Sequence, residues 1–464
     1  MKKLMMLFAF MAILLFGLAA CGDGGTSATV EPEPEADITE GNAADRETGA
    51  DIEEIEVTEE ATTLTFWTFV DSHAEYFAIA QNLWNERNPD RMINLETEVI
   101  PFGAMHENLL MALQSGTGAP DLSDVEIGMS GVYLQSENVP FLPQNEVLAP
   151  FMDYLIYSRV SAYSAHGYYF GVCYHVGSVM MFYNIAVFEE AGLDWNDIVT
   201  WDDFVAMGQE IREATGAYMM GIEGAATFAL EAMVSQQGTD FTIDGAPNLN
   251  SPEMIRGLTL LQDMIYEYGM ARVMPGLQID SEEMYAEISQ NNFAAIMAPS
   301  WYMDRYLSHA MNQAGNIALA PIPIFEEGNN RSASAGGTMT VVTNQVAEEN
   351  AQLALEFVAF AKASYEMAAF QWNLLGFDPV RTDVLLSDAI RVPSDALTLF
   401  GEETFDVLYD IADETTGIRV NAANAFTVRD HIIAQILPNV IVERIMDAET
   451  ALIEAQELLE SMID

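Results

Sequence analysis

Aromatic rings and carboxyl groups stand together where apolar runs of this sequence stop. Phe69, Asp71 and His73 fall at and just past the run Leu64-Thr65-Phe66-Trp67-Thr68. Glu126 follows the stretch Pro120 to Val125, and Trp301 follows Phe293 to Met297. A flat ring offers a stacking face, and a carboxylate accepts strong hydrogen bonds from hydroxyls. That combination suits non-covalent capture of a polyhydroxylated molecule. The carboxyl ends of strands are where open α/β sheets hold ligands. Each residue also has a plainer use: Asp71 could cap a helix beginning near Ser72, Glu126 could be a solvated loop acid, and Trp301 could wedge into a core. Glu223 and Thr227 sit in a loop before a helix starting at Phe228. Gly336 and Gly337 can bring backbone amides close to a ligand, or simply make a hinge turn. Trp372 and Phe426 are reserve aromatics, with core packing as the plainer expectation for each.

Covalent chemistry has little support. GxxxxGK[ST], HExxH and GxSxG are all absent. The histidines His73, His106, His166, His175, His309 and His431 show no ligand spacing, so no metal and no cofactor is expected. Beyond Lys2 and Lys3 the only lysine is Lys362, whose neighbours Phe357, Phe360 and Phe370 mark a packed helix face. Carboxylate pairs such as Glu282-Glu283 abound, but 71 acidic residues produce pairs without purpose. No catalytic residue is assigned; a glycosidase would need two carboxyls flanking one bond, which spacing along the chain does not reveal.

The charge bounds the partners. Against 71 acids stand 17 bases, a formal net charge of -54 in 464 residues. Outside residues 1–60 the net is still -43. Such a surface repels nucleic acid, whose binding rests on Lys and Arg. It suits a neutral or cationic ligand better than an anionic one, although a salty or alkaline habitat is the preferred reading for most of the charge.

Stepping along the chain, strand and helix patterns alternate. The run at 64–69 reads as a strand, 72–88 as a helix stopped by Pro89, and Ile93 to Val99 as a strand. A helix follows over His106 to Leu113. Thr200-Trp201-Asp202-Asp203 is a capping box, and Ser251-Pro252 opens another helix. Met339 to Thr343 reads as a strand, and Leu353, Phe357 and Phe360 mark a helix face. Ile441, Ile445, Leu452, Ala455 and Leu459 mark one face of a C-terminal helix. This rhythm predicts an α/β fold. About 400 ordered residues exceed what one core usually serves, so two domains or lobes are expected.

The N-terminus carries its own signal. Lys2-Lys3, an uncharged run from Leu4 to Ala20, and Leu18-Ala19-Ala20-Cys21 form a secretory signal over residues 1–20. The ending resembles the bacterial lipoprotein signal, in which the Cys is lipidated; a plain signal peptide or an uncut anchor is the alternative. Residues 21–61 read as a flexible acidic tether, too poor in large apolar groups to fold. With Cys21 lipidated, Cys173 has no internal partner and is expected to be a buried, inert thiol.

The ordered part resembles the extracellular solute-binding proteins of bacterial ABC importers, the large family that includes maltose- and other oligosaccharide-binding proteins. The resemblance is carried, in order, by LTFWTF (64–69), GAPDL (118–122), YYFGVCYHVGSVMMFYN (168–184) and AGLDWNDIVTWDDFVAMGQEI (191–211), then FAAIMAPSW (293–301), APIPIFEEGNNRSASAGG (320–337) and LALEFVAFAKA (353–363). The chain departs from the family pattern at Pro299, where Gly is usual, and at Cys173-Tyr174-His175, where Pro is common. The resemblance implies the two-lobed periplasmic-binding-protein fold, with a ligand cleft between the lobes and crossing hinge segments. It places lobe one at 62–173 plus 337–378 and lobe two at 174–336 plus 379–464. It further implies a non-enzymatic monomer that captures a carbohydrate, with an oligosaccharide expected, and delivers it to permease subunits in the membrane. The protein would act at the outer face of the cytoplasmic membrane, held by lipid on Cys21. In this family the Trp at position 301 often stacks on the sugar. Two alternatives remain: a secreted glycoside hydrolase, and a binder of a non-sugar solute such as a polyamine or peptide.

Overall fold

In the computed structural model the described residues are 55–417, 419, 422 and 424–463, and they belong to one compact unit. The signal segment, Cys21 and most of the acidic tether lie outside them.

The chain begins with β1 (Thr62–Thr68), α1 (Asp71–Arg87), β2 (Ile93–Val99), α2 (Phe102–Ser115), β3 (Leu122–Glu126) and α3 (Ile127–Leu134). Each boundary has a local cause. Asp71 is not a cap: α1 starts at Asp71 itself, with Val70 in the cap position and no side-chain cap bond. The α2 helix ends where Gly116 turns left-handed at φ 76°. Glu126, expected just past its strand, is the last residue of β3 and the N-cap of α3, accepting the amide of Gly128.

A second series follows: β4 (Val179–Asn184), α4 (Trp201–Thr215), α5 (Phe228–Ser235), α6 (Pro252–Tyr266), β5 (Ala295–Pro299), α7 (Tyr302–His309) and β6 (Ile317–Ala320). Thr200 and Asp203 close the expected capping box of α4, and Ser251 caps α6 with Pro252 at its first position. The chain then returns through β7 (Thr338–Val342), α8 (Ala351–Ala363) and α9 (Tyr365–Leu375), and ends with α10 (Ala425–His431) and α11 (Ala448–Ile463).

Two sheets anchor the two lobes. The first has the order β7-β3-β1-β2, with β1 parallel to both β2 and β3 and β7 antiparallel to β3. Its core gathers Leu64 and Phe66 from β1, Phe77 from α1, Leu122 and Val342 from the sheet, and Phe357 from α8. The second sheet, β5-β4-β6, is antiparallel and packs Val179 and Met181 against Trp201, Phe204, Met233 and Leu452. Truncating a buried ring such as Phe77 costs about 3–5 kcal/mol in cores of this kind.

Three stretches cross between the sheets. Cys173 pairs with Met339 and Ser178 with Ser334 as isolated bridges. The buried Asp378 carboxylate gathers the amides of Val176, Gly177 and Ser178 at 3.1–3.2 Å and the hydroxyl of Ser300. Burial raises the Asp378 pKa despite these bonds. Cys173 is a fully buried free thiol.

The C-terminal expectation needs correction. Ile441 and Ile445 do not share a helix with Leu452. Residues Pro438–Val442 form widened π-helical turns, and Arg444 breaks the path at φ 52°. Pro438 has no N–H to give to a regular helix. Ile445 ends up 69% exposed, while Leu452, Ala455 and Leu459 line the buried face of α11.

Candidate functional site

A cleft of about 490 Å³ opens between the sheets, at the carboxyl ends of β1, β3 and β5. Seven of the residues expected from sequence line it: Phe69, His73, Glu126, Trp301, Gly336, Gly337 and Phe426. Phe102, Phe228 and Phe377 add aromatic surface. Phe426 and Phe102 are about half exposed, at 49% and 46%, so their rings are available as stacking faces.

Trp301 emerges directly after β5 and is half-buried. Its ring meets Phe228 edge-on at 5.5 Å, and the Arg305 guanidinium lies 5.7 Å from its centre. Gly336 makes room for it. A Cβ there would sit 2.6 Å from the indole Nε1, and the backbone is left-handed at φ 70°. Gly337, at φ 130°, leaves space for Arg159 and the Tyr163 hydroxyl. Arg159 is buried and holds this turn by donating to Gly336 O at 2.9 Å and to the Ser334 hydroxyl.

On the side of the first sheet, the polar groups close on themselves. Asp124 is fully buried and accepts from Thr68 Oγ1 at 2.8 Å, Thr340 Oγ1 at 2.6 Å and the Tyr174 hydroxyl at 3.2 Å. His73 Nδ1 lies 2.9 Å from the same carboxylate, and its ring stacks on Tyr174 at 3.9 Å. Burial alone would raise the Asp124 pKa, but His73, Lys362 and Thr340 outweigh it and the net shift is downward. Burial lowers the His73 pKa in spite of Asp124, so the imidazole is neutral and donates its Nδ1 proton. Lys362 lies fully buried with its Nζ 2.7 Å from the Tyr174 ring centre, and burial holds it well below the usual ammonium range. His106 is also neutral: it accepts the Glu126 amide at Nε2 (3.2 Å) and donates from Nδ1 to Phe102 O (2.8 Å).

On the opposite side, charges meet in pairs. Arg429 Nε contacts Glu231 at 2.8 Å and donates to Thr227 Oγ1 at 3.2 Å. Arg429 also crowds Glu126 across the cleft: a Cβ on Gly128 would sit 2.6 Å from Arg429 Nη1 and 2.8 Å from Glu126 Oε2. Burial raises the Glu126 pKa, opposed by Arg429. Glu223 is buried with one oxygen accepting the Ala229 amide at 3.1 Å and the other unpartnered. Burial, reinforced by Glu231, lifts its pKa to about 7. Arg305 is held by both Asp280 oxygens, at 2.6 and 3.2 Å, and by Asp304 at 2.6 Å.

Four expected residues do not reach the cleft lining. Asp71 is exposed on the first turn of α1. Glu223 and Thr227 lie buried behind Arg429. Trp372 is fully buried against Phe405, 4.8 Å between ring centres. Conversely, Arg305, Arg429, Asp280, Asp430 and His175 line the cleft and were not singled out as binding residues. One signal was legible: with so few bases in the chain, each arginine near an expected loop carries weight. Among the described residues no group of three or more His, Cys, Asp or Glu side chains is placed to hold a metal ion. A second cavity of about 510 Å³, beside Tyr218, Arg272 and Glu287, holds none of the expected residues.

The kinships agree with this architecture. Over 405 residues the chain is 40% identical to the arabinooligosaccharide-binding protein of Halalkalibacterium halodurans, spanning 87% of this chain and 90% of that one. It is 38% identical over 360 residues to the arabinooligosaccharide-binding protein of Bacillus subtilis, spanning 77% and 82%. The solved GacH receptor of Streptomyces glaucescens superposes with a TM-score of 0.71 at 17% identity, covering 86% of this chain and 98% of that one, which shows a shared fold. The family model for bacterial extracellular solute-binding proteins matches residues 71–364, and the chain belongs to that family.

Proposed function

We propose that this protein captures an oligosaccharide built of arabinose in the cleft between its lobes and presents it to the permease of an ABC importer, without covalent change. The observation that carries this reading is the kinship, over more than three quarters of the chain, to two proteins named for arabinooligosaccharide binding. The cleft supplies what such a ligand needs. Trp301, Phe102 and Phe426 offer stacking faces, and Glu126, Asp280 and Asp430 offer acceptors for hydroxyls. The lobes divide at the crossing stretches, into 62–173 plus 337–378 and 174–336 plus 379–464. Ligand shifts the open–closed balance by its differential affinity for the closed form. The mature chain starts at a lipidated Cys21, and the acidic tether keeps the binding body near the membrane.

Titration calorimetry with arabinobiose to arabinohexaose tests the reading, alongside a thermal-shift screen, because a ligand that binds only the folded state raises its stability by mass action. Saturable binding with an unchanged ligand is the expected result. Release of new reducing ends would replace it with the hydrolase reading, and binding of polyamines or peptides alone would overturn the sugar assignment. Mass spectrometry of the mature N-terminus tests the anchor: an unmodified Cys21 or a cut elsewhere removes it.

A further inference from the structure

The cleft contains two guanidiniums, and acids offset the charge of each. Arg305 is forked onto Asp280 and bonded again to Asp304. Arg429 gives its Nε to Glu231 and Thr227, and the charges of Glu231, Glu126 and Glu223 oppose its own. A site built to hold an anion leaves a cation or a cluster of amide donors open toward it. Here the opposite holds: Glu126, Asp280 and Asp430 line the cavity, with Asp304 and Glu231 directly behind the two arginines. The histidines add no positive charge, since burial lowers the pKa of both His73 and His175.

We propose that this cleft admits only uncharged glycans and rejects sugar acids, with Glu126 and Asp430 as the residues that set the discrimination and the charges of Arg305 and Arg429 already offset by neighbouring acids. The inference rests on the carbohydrate reading above and narrows it to a charge class. Two physical terms act together. A ligand carboxylate must lose water on entering a half-enclosed space, and it meets acceptors where it needs donors. It also meets like charge, which costs more in a partly buried cleft than at an open surface. A neutral hydroxyl suffers neither penalty and can donate to the same carboxylates.

The test uses three probes of one length: arabinotriose, its borohydride-reduced alditol, and its oxidised aldonate. Alditol and aldonate share an opened terminal unit and differ in charge. Calorimetry on the wild-type protein should show the aldonate binding at least about tenfold more weakly than the alditol, or about 1.4 kcal/mol. That gap should shrink as salt is raised, because screening weakens charge interactions. Asp430→Asn changes an exposed side chain, and Glu126→Gln a nearly isosteric one; each should narrow the aldonate-to-alditol ratio, a readout that a general loosening of the site would not move. Equal affinity for alditol and aldonate overturns the charge selection and leaves the sugar reading standing. An unchanged ratio in both variants overturns the assignment to these residues. If no arabino-oligosaccharide from biose to hexaose binds, the arabino-oligosaccharide reading falls and takes this inference with it.

Discussion

The two sides of the cleft handle buried charge in opposite ways. Beneath the first sheet, Asp124 is surrounded by donors from Thr68, Thr340, Tyr174 and His73, and its pKa falls despite complete burial. On the second side, Glu223 is equally buried but accepts one backbone amide, keeps one oxygen unpartnered, and its pKa rises to about 7. Burial is common to both, so it does not decide the charge state. The donors within reach decide it. The first side is a polar knot closed around Asp124; on the second, one Glu223 oxygen is left unpartnered.

Four substitutions break or sharpen this contrast. The largest effect belongs to Asp124→Ala, which strips His73, Thr68 and Thr340 of their shared acceptor. Losing one partner from such a buried network costs about 3–5 kcal/mol, readable as a lower urea midpoint; a loss under about 1 kcal/mol would show that the knot is dispensable. Glu223→Gln comes next, and acts in the other direction. The folded carboxyl holds its proton up to about 7 against an ordinary value of 4.5. The native state therefore binds more protons than the unfolded chain across this window, and stability falls as pH rises through it, by up to about 3 kcal/mol. The Gln variant should lose that slope and be the more stable protein at neutral pH; an unchanged slope would assign it elsewhere. Third, Trp301→Ala should weaken arabino-oligosaccharide binding about tenfold or more while keeping a cooperative melt, since aromatic anchors dominate such sites. Unchanged affinity would remove Trp301 from the site. The smallest effect is expected of Gly336→Ala, where the new methyl strains a left-handed turn and pushes the indole aside: affinity should fall a few-fold, and full retention would show that the ring tolerates displacement.

Much of the scaffold was legible because local rules governed it. The strand ending at Thr68 follows from its β-branched and aromatic run, the start of α4 from its capping box, and the position of Trp301 from the apolar strand before it. The site was legible in half. Phe69, His73, Glu126 and Trp301, at or just past strand ends, line the cleft because chain direction brings such positions there, whereas Asp71 turns away on the first turn of α1. Arg305 and Arg429 were not legible, because their partners Asp280, Glu231 and Glu126 come from distant parts of the chain and only folding unites them. Asp124 left a trace that could have been read: an acid in mid-strand, in Leu122-Ser123-Asp124-Val125, is out of place unless something buries and satisfies it. The misplaced C-terminal face shows the reverse hazard. Ile441 and Ile445 continue the apolar spacing of α11, but Pro438 and the left-handed Arg444 interrupt the path that the spacing assumes.

The enclosure of Lys362 has a practical side. It is the one lysine among the described residues, and it is fully buried over the Tyr174 ring. Amine-directed dyes, cross-linkers and resins therefore find no lysine on the native binding body, and trypsin finds only arginines there. Once the first lobe opens, a single new amine appears. The appearance of one acylated residue at position 362, followed over time, counts the openings that expose helix α8 and supplies a clock for them with and without ligand.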